Sequence, residues 1–303
     1  MSAAESDLRA QALSKSITTQ PAITRDESLG TAFRTFAFSD ADFRRLQRMI
    51  FDYAGISLNN NKKPMAYSRL TKRIRQLDMT TFGEYLDFVE ASDSEEHVRF
   101  INALTTNLTY FFREAHHFTI LAEHLLQTYK GEPLTVWSAA CSTGEEPYSI
   151  AMAVVEAFGS DQPPVRIIAS DLDTDALNTA QRAVYPLEKV HSLTPQKLKR
   201  FFLKGTGEQQ GLACIRPQLR GLVEFRQVNL IADQWEIAGP LKAIFCRNVM
   251  IYFNKETQTR ILDRFAPLLR PDGLLFAGHS ENFFYNARDS FRIRGKTVYE
   301  LAS

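Results

Sequence analysis

Long hydrophobic runs are missing from this chain. No apolar stretch approaches the roughly 20 residues that cross a bilayer, so membrane insertion is not expected. The opening residues, MSAAESDLRAQALSKSITTQ, have no apolar core of the kind a secretory signal carries. A cytoplasmic protein is the expectation. Cysteine is scarce: Cys141, Cys214 and Cys246 are odd in number and form no CxxC pair, which argues against a disulfide framework and a zinc knuckle. His97, His124, His191 and His279 are scattered, and the adjacent His116 and His117 cannot face one metal from a helix. No metal is expected. A surplus of one charge sign is absent too, with 36 Lys and Arg against 35 Asp and Glu. That balance excludes a globally basic nucleic-acid binder.

What is present is the composition of a soluble globular protein: 303 residues, 44% hydrophobic, 23% charged and 11% aromatic, enough for two domains. Residues 1–33 show no sustained apolar period and are expected to be a disordered tail. Residues 34–129 read as a helical domain with a linker helix. Ser39 is placed to cap a helix carrying Phe43, Leu46 and Ile50, with Gly55 as its stop. A second helix begins near Pro64 and buries Ala66, Leu70, Ile74 and Leu77. Thr81 and Glu84 have capping-box spacing, a further helix covers Glu95 to Leu104, and a long one is expected from Tyr110 to Tyr129.

From residue 130 to 303 the texture changes. LTVWSA (134–139), VRIIAS (165–170), LVEFRQV (222–228), LKAIFC (241–246) and GLLFAG (273–278) have strand length, and helical segments at 147–158, 174–183 and 255–269 separate most of them. Strands alternating with helices predict a mostly parallel, Rossmann-like sheet covered on both faces. The closing FRIRGKTVYEL reads as an antiparallel hairpin, and the Pro- and Gly-rich residues 184–221 as an insertion.

Ligands of open α/β sheets bind at the carboxyl ends of the strands. The first strand runs into Ser138-Ala139-Ala140-Cys141-Ser142-Thr143-Gly144-Glu145-Glu146, a loop of small residues. It is not GxGxxG, offers no Lys to a triphosphate, and its paired acids would repel a pyrophosphate. Thr143 and Glu146 also have capping-box spacing, so Glu146 has a purely local alternative. Asp171 ends the second strand, where a carboxylate can accept both hydroxyls of a ribose, while Asp173 or Thr174 suffices to cap the next helix. An acid there, beside a loop without phosphate donors, suits an adenosyl ligand such as S-adenosylmethionine. Cys141 and Cys246 flank this region without a base at motif spacing, which speaks against a cysteine nucleophile.

The stretches NLTYFFREAHHF (107–118), WSAACSTGEEPYSIA (137–151), ASDLDTDAL (169–177), FCRNVMIYF (245–253) and FAGHSENF (276–283) resemble the CheR family, the chemotaxis receptor methyltransferases. The likeness runs in order over residues 36–302. It implies an all-α N-terminal domain joined to an S-adenosylmethionine-dependent methyltransferase sheet with an inserted small antiparallel β-subdomain. The activity it implies is conversion of receptor glutamates to γ-methyl esters, with S-adenosylhomocysteine as product. Carried onto this chain, the family pattern puts Asn107, Thr109 and Arg113 beside the cofactor, Arg113 as partner of the methionyl carboxylate. Glu145 or Glu146 would lie near the methionyl amine, undecided between them. Asp171 matches the ribose acid and Asn229-Leu230 the adenine contact. Arg247 and Asn248 follow the fourth strand, and Tyr252 lies close to the transferred methyl. Arg113 and Tyr252 are the catalytic candidates, acting by orientation rather than proton transfer, and His279 is expected to anchor a loop near the site. Without the resemblance, Thr109 reads as a helix cap and Arg113 as a solvated charge.

Between residues 62 and 77 stand six bases and no acid: Lys62, Lys63, Arg69, Lys72, Arg73 and Arg75. A charged stripe is commonly a solvated face, but the resemblance assigns recognition of the receptor's methylation region to this domain. A basic helix suits an acidic partner. The glycines of the insertion permit turns that expose strand edges, and in receptor-tethered family members the β-subdomain holds a peptide from the receptor C-terminus. The expected partners are therefore cytoplasmic receptor domains and this tether peptide, with the enzyme a monomer. Two rival readings are a methyltransferase for another acceptor and a non-catalytic cofactor-binding signalling module.

Overall fold

The computed structural model describes residues 35–91, 95–282 and 289–302. The expected tail at 1–33 and Phe283 of the last motif lie outside them. Residues from Ala37 onward cluster as one compact unit.

The first half of this unit is helical: α1 (Asp40–Ala54), α2 (Lys63–Gln76), α3 (Phe82–Ala91) and α4 (Glu95–Leu104). Ser39 caps α1 through a complete capping box with Asp42, and Gly55, at φ 70°, ends it. A side chain at Gly55 would also start 2.6 Å from Ile231 Cγ2, so the position serves both the left-handed turn and a close approach. The apolar stripes of the four helices close on Leu46, Ile50, Leu70, Ile74, Phe82, Leu86 and Phe100, all fully buried. Inside that core Glu96 accepts from the Arg73 guanidinium and from the Tyr85 hydroxyl at 3.1 Å.

Helix α5 (His116–Thr128) is shorter than the 110–129 segment expected. Phe112 and Glu114 take positive φ (54° and 56°), which breaks the helix ahead of His116. Tertiary contacts hold this break. The Phe112 N–H donates to Ser149 Oγ at 2.9 Å, and the Glu114 carboxylate accepts from the His279 N–H at 3.0 Å.

The chain then lays down β1 (Leu134–Ser138), α6 (Glu145–Phe158), β2 (Val165–Asp171) and α7 (Thr174–Arg182). The insertion follows: β3 (Val184–Pro186), α8 (Leu187–Val190), α9 (Pro195–Phe201), β4 (Phe202–Lys204), β5 (Leu212–Ile215) and α10 (Pro217–Arg220). The main sheet resumes with β6 (Val223–Gln227), β7 (Leu241–Cys246), α11 (Lys255–Phe265), β8 (Leu269–Ala277), β9 (Phe291–Gly295) and β10 (Val298–Leu301). Strand order is β6-β2-β1-β7-β8-β10-β9, with the first five of these parallel to one another and β10 antiparallel to both β8 and β9, the closing hairpin the sequence predicts. The insertion is an antiparallel three-stranded sheet, β3-β5-β4.

Alternation within each strand supplies both layers. Val136, Ile167, Phe245 and Phe276 face α5 and α6, while Trp137, Ile168, Ile244 and Leu275 face α11. Ser138 is level with Ala169 on one side and Phe245 on the other, so β1, β2 and β7 end side by side. The order reverses between β1 and β7, and the crevice opens there. No helix among the described residues is long and apolar enough to cross a membrane.

Candidate active site

The crevice is a cavity of about 370 Å³ between the helical half and the carboxyl ends of the strands. The loop after β1 reaches it with Ala139 and Ala140, which bring backbone but little side chain. Ser142 turns the chain at φ 49° and donates its N–H to Asp171 Oδ2 at 2.7 Å. Asp171 Oδ1 accepts from the Asp173 N–H at 2.9 Å. Burial pushes the Asp171 carboxyl up to about 6, against these hydrogen bonds, which favour the charged form. Asp173 caps α7 with Oδ1 and uses Oδ2 to accept from Thr105 Oγ1 and Asn107 Nδ2, both at 2.6 Å. Asn107 Oδ1 in turn accepts from Ser142 Oγ at 3.2 Å. The segment joining the helical half to α5 is thereby tied to the loops after β1 and β2.

The capping box open to Thr143 and Glu146 as a local alternative does not form. Thr143 Oγ1 instead donates to Glu145 Oε2, and Gly144 at φ 97° precedes the helix. A side chain there would start 2.8 Å from both Ala180 Cβ and the Tyr185 hydroxyl. Glu145 and Glu146 then diverge, because neighbours on a helix lie about 100° apart. Glu145 is fully buried and pairs with Lys189 of α8 at 2.7 Å, whereas Glu146 lines the cavity. Glu146 accepts from Ser138 Oγ at 2.7 Å and from Arg247 Nη1 at 2.9 Å.

Arg247 is nearly sealed from solvent and carries three duties: Glu146, the Arg113 carbonyl, and Glu114 Oε2 at 3.5 Å. Burial opposes ionisation of Glu114, yet the His279 N–H and the Arg247 charge hold its carboxyl below the ordinary value. Arg113 is half-buried at the cavity wall, where its Nη1 donates to the Leu108 carbonyl at 2.9 Å and its guanidinium lies 5.8 Å from the Tyr110 ring centre. Among the described residues its other N–H donors have no hydrogen-bond partner.

Glu281, only quoted within GHSEN at the sequence level, organises the loop after β7. Its two oxygens accept from the N–H groups of Asn248 and Gly278 and from that of Met250, at 2.8, 2.5 and 2.8 Å. Burial pushes its carboxyl up. Asn248 sits at φ 59°, and a Cβ on Gly278 would fall 2.3 Å from its amide nitrogen. This loop delivers Asn248 and Tyr252 to the cavity; among the described residues the Tyr252 hydroxyl has no hydrogen-bond partner. Thr109, Asn229 and Leu230 line the cavity as well, but the Asn229 amide is committed to the Tyr53 carbonyl at 2.8 Å and so pins the end of α1 to the sheet.

Burial pushes the Cys141 and Cys246 thiols well above their ordinary range, so neither is a ready thiolate. Burial likewise drives His117 down to about 3, leaving a neutral ring bonded to Thr297 Oγ1 at 2.8 Å. Among the described residues no group of three or more His, Cys, Asp or Glu side chains could hold a metal ion.

The six bases of residues 62–75 do not form one open patch. Lys63 pairs with Asp40, Arg73 with the buried Glu96, and Arg69 donates to the Leu104 and Thr105 carbonyls at 3.1 and 2.5 Å at the end of α4. Lys62 and Lys72 have no ion-pair partner among the described residues, and Lys62 is the one of the six that lines the cavity.

An acid at the end of β2, a bare backbone loop after β1 and the apolar Val228 and Leu230 fit an adenosyl group. With this sheet order the protein is an S-adenosylmethionine-dependent methyltransferase. Residues 107–300 match the family model described as "CheR methyltransferase, SAM binding domain", and residues 41–105 match "CheR methyltransferase, all-alpha domain". The chain belongs to the CheR methyltransferase family. It is 54% identical over 267 residues to the chemotaxis protein methyltransferase of Salmonella typhimurium, covering 88% of this chain and 92% of that one. The Escherichia coli protein of the same name is 52% identical over the same shares. Chemotaxis protein methyltransferase 2 of Pseudomonas aeruginosa is 52% identical over 268 residues, 88% of this chain and 95% of that one.

Proposed function

We propose that this protein acts in the cytoplasm, transferring the methyl group of S-adenosylmethionine to glutamate side chains on the cytoplasmic domains of chemoreceptors. The products would be γ-methyl esters, made for chemotactic adaptation. One observation carries the reading: both family models match in tandem, with identity above half to chemotaxis protein methyltransferases.

When bound, the cofactor supplies a methyl group on a positively charged sulfur. A glutamate acceptor, with an ordinary pKa of about 4.3, is already ionised at neutral pH, so no residue of this chain has to remove a proton. The work left to the protein is alignment and exclusion of water. Asp171 would accept from the ribose hydroxyls, Val228, Asn229 and Leu230 would cover the adenine, and Glu146 rather than Glu145 would face the methionyl amine. Arg113 would hold the methionyl carboxylate through its unspent donors, beside Asn107 and Thr109. Arg247 holds Glu146 in place, while Asn248 and Tyr252 border the acceptor.

Arg113→Ala is expected to weaken binding of S-adenosylhomocysteine by roughly 10- to 100-fold, and Tyr252→Phe to slow methyl transfer by roughly tenfold, with unchanged thermal stability. Calorimetric titration and transfer assays measure both; full activity in the two variants removes these roles. Cofactor affinity is also expected to depend on acid. The carboxylate form of Asp171 is the acceptor, and its pKa stands at about 6 in the free protein. The dissociation constant should therefore rise as pH falls below that value, by up to about tenfold per unit, and Asp171→Asn should give a weaker but flat profile.

Base-labile methyl incorporation into a purified receptor fragment tests the reaction itself, because esters hydrolyse in alkali and N-methyl groups do not. The tether reading is supported by the edge position of β4, whose Leu203 is exposed. Titration with a receptor C-terminal peptide tests it, and absence of binding would make this an untethered enzyme.

A further inference from the structure

Helix α6 begins without a local device to fix its first residue. Gly144, at φ 97°, offers it no side-chain cap, and the Thr143 hydroxyl is committed to Glu145. A start displaced by one residue would turn each acid by about 100° and bring Glu145 where Glu146 now stands. Two side chains of the insertion supply what the local sequence does not. Tyr185 of β3 is buried, and its hydroxyl donates to the Thr143 carbonyl at 2.8 Å, one residue ahead of Gly144. Burial and the Glu145 charge push its phenol up, so it remains a donor. Lys189 of α8 pairs at 2.7 Å with Glu145 Oε1, the oxygen that Thr143 leaves free. The Tyr185 ring also supports a second wall of the cavity. Phe111 is buried between Tyr185 and Phe202 of β4, edge to face with both, with ring centres 5.1 and 5.6 Å away. It stands two residues from Thr109 and two from Arg113, and its neighbour Phe112 has Lys197 Nζ 4.8 Å from its ring centre.

We propose that Tyr185 and Lys189 are positioning residues for the cofactor: they set the start of α6, and with it which of two adjacent acids meets the methionyl amine. The proposal rests on the assignment of Glu146 to that amine and names what enforces it. Neither Tyr185 nor Lys189 lines the cavity, so each acts only through the groups it holds. Lys189 draws Glu145 away from the cofactor and neutralises it, which leaves one carboxylate, Glu146, for one ammonium. Tyr185 fixes the backbone just before the helix and, through Phe111, the segment that carries Arg113. The two ends of the cofactor's methionyl group are thereby aligned by one side chain of the insertion.

The test measures the dissociation constant of S-adenosylhomocysteine by calorimetry for the full-length native protein and its variants, well below the unfolding midpoint of each. Tyr185→Phe keeps the ring against Phe111 and loses only the donor; it is expected to weaken binding by about fivefold. Lys189→Met should weaken it by about tenfold, whereas Lys189→Arg, which restores a cation, should stay within about twofold of native. Combined with Glu146→Gln, which removes the acid being aimed, Tyr185→Phe or Lys189→Met should add less than about twofold. A change that only loosened the protein would add in full. Lys199→Met removes an exposed base of the same insertion that has no ion-pair partner among the described residues, and should leave affinity native. If Lys189→Met yields too little folded protein, Lys189→Met with Glu145→Gln buries no lone charge, and the same weakening is expected. Native affinity in Tyr185→Phe and Lys189→Met, full additivity with Glu146→Gln, or an equal loss in Lys199→Met overturns the proposal. Native affinity in Glu146→Gln alone removes the assignment of that acid, and the proposal falls with it.

Discussion

Arg247→Met should lose about 3–5 kcal/mol of stability, the range found when one partner of a buried ion pair is removed. For a unit of this size that corresponds to a fall in Tm on the order of 10 °C. The methionine retains much of the volume, but Glu146 loses the donor at 2.9 Å and Glu114 loses the charge at 3.5 Å. The Arg113 carbonyl loses its donor as well. The deficit should depend on pH with a definite sign. In the native protein the Glu114 carboxyl is held below its ordinary value, so its pairing contributes stability above roughly pH 4.5 that disappears as the group protonates. Native and variant unfolding curves in urea should accordingly stay apart from pH 7 down to about 4.5 and converge only as pH falls below that value. A double variant, Arg247→Met with Glu146→Met, should regain part of the stability while remaining inactive, because the acid assigned to the methionyl amine is then gone. A single variant as stable as native at pH 7 would show that the pair adds nothing.

Glu281→Gln is expected to be nearly as damaging as Glu281→Ala, although it keeps the shape. Both carboxylate oxygens accept from backbone N–H groups, so an amide must point its own N–H₂ at one of them. The loss is two or three charge-assisted hydrogen bonds of about 1.5–3 kcal/mol each, offset in part because burial already disfavours the charge. Released, the loop from Asn248 to Tyr252 no longer holds its side chains in place. Methyl transfer should fall by about 100-fold or more, with S-adenosylhomocysteine affinity reduced far less than in Asp171→Asn. Transfer assays and calorimetry with both Glu281 variants check this. Near-native activity in Glu281→Gln would mean that the loop needs only the side-chain volume.

Much of this architecture could be read from local pattern. Ser39 and Gly55 bracket α1 as their chemistry requires, Pro64 opens α2, and the apolar runs at 134–139, 165–170 and 241–246 become the central strands. Capping, turn chemistry and periodicity act within a few residues, so a linear chain displays them. Asp171 was legible for the same reason: a lone acid where a strand ends. The shortened α5 was not, because the positive φ of Phe112 and Glu114 is held by Ser149, Arg247 and His279, none of them near in sequence.

The order of the main elements and the family could be read from the sequence alone. Only the tertiary structure decided how the charges are spent. Glu145 turns toward Lys189 while Glu146 turns to the cavity, and the choice depends on where α6 begins against Gly144. The stripe of six bases loses Lys63, Arg69 and Arg73 to partners on α1 and α4, leaving Lys62 at the mouth. A charge is free or committed according to which segments pack beside it, and those segments lie tens of residues away. Sequence gives a side chain its charge; packing supplies or withholds its partner.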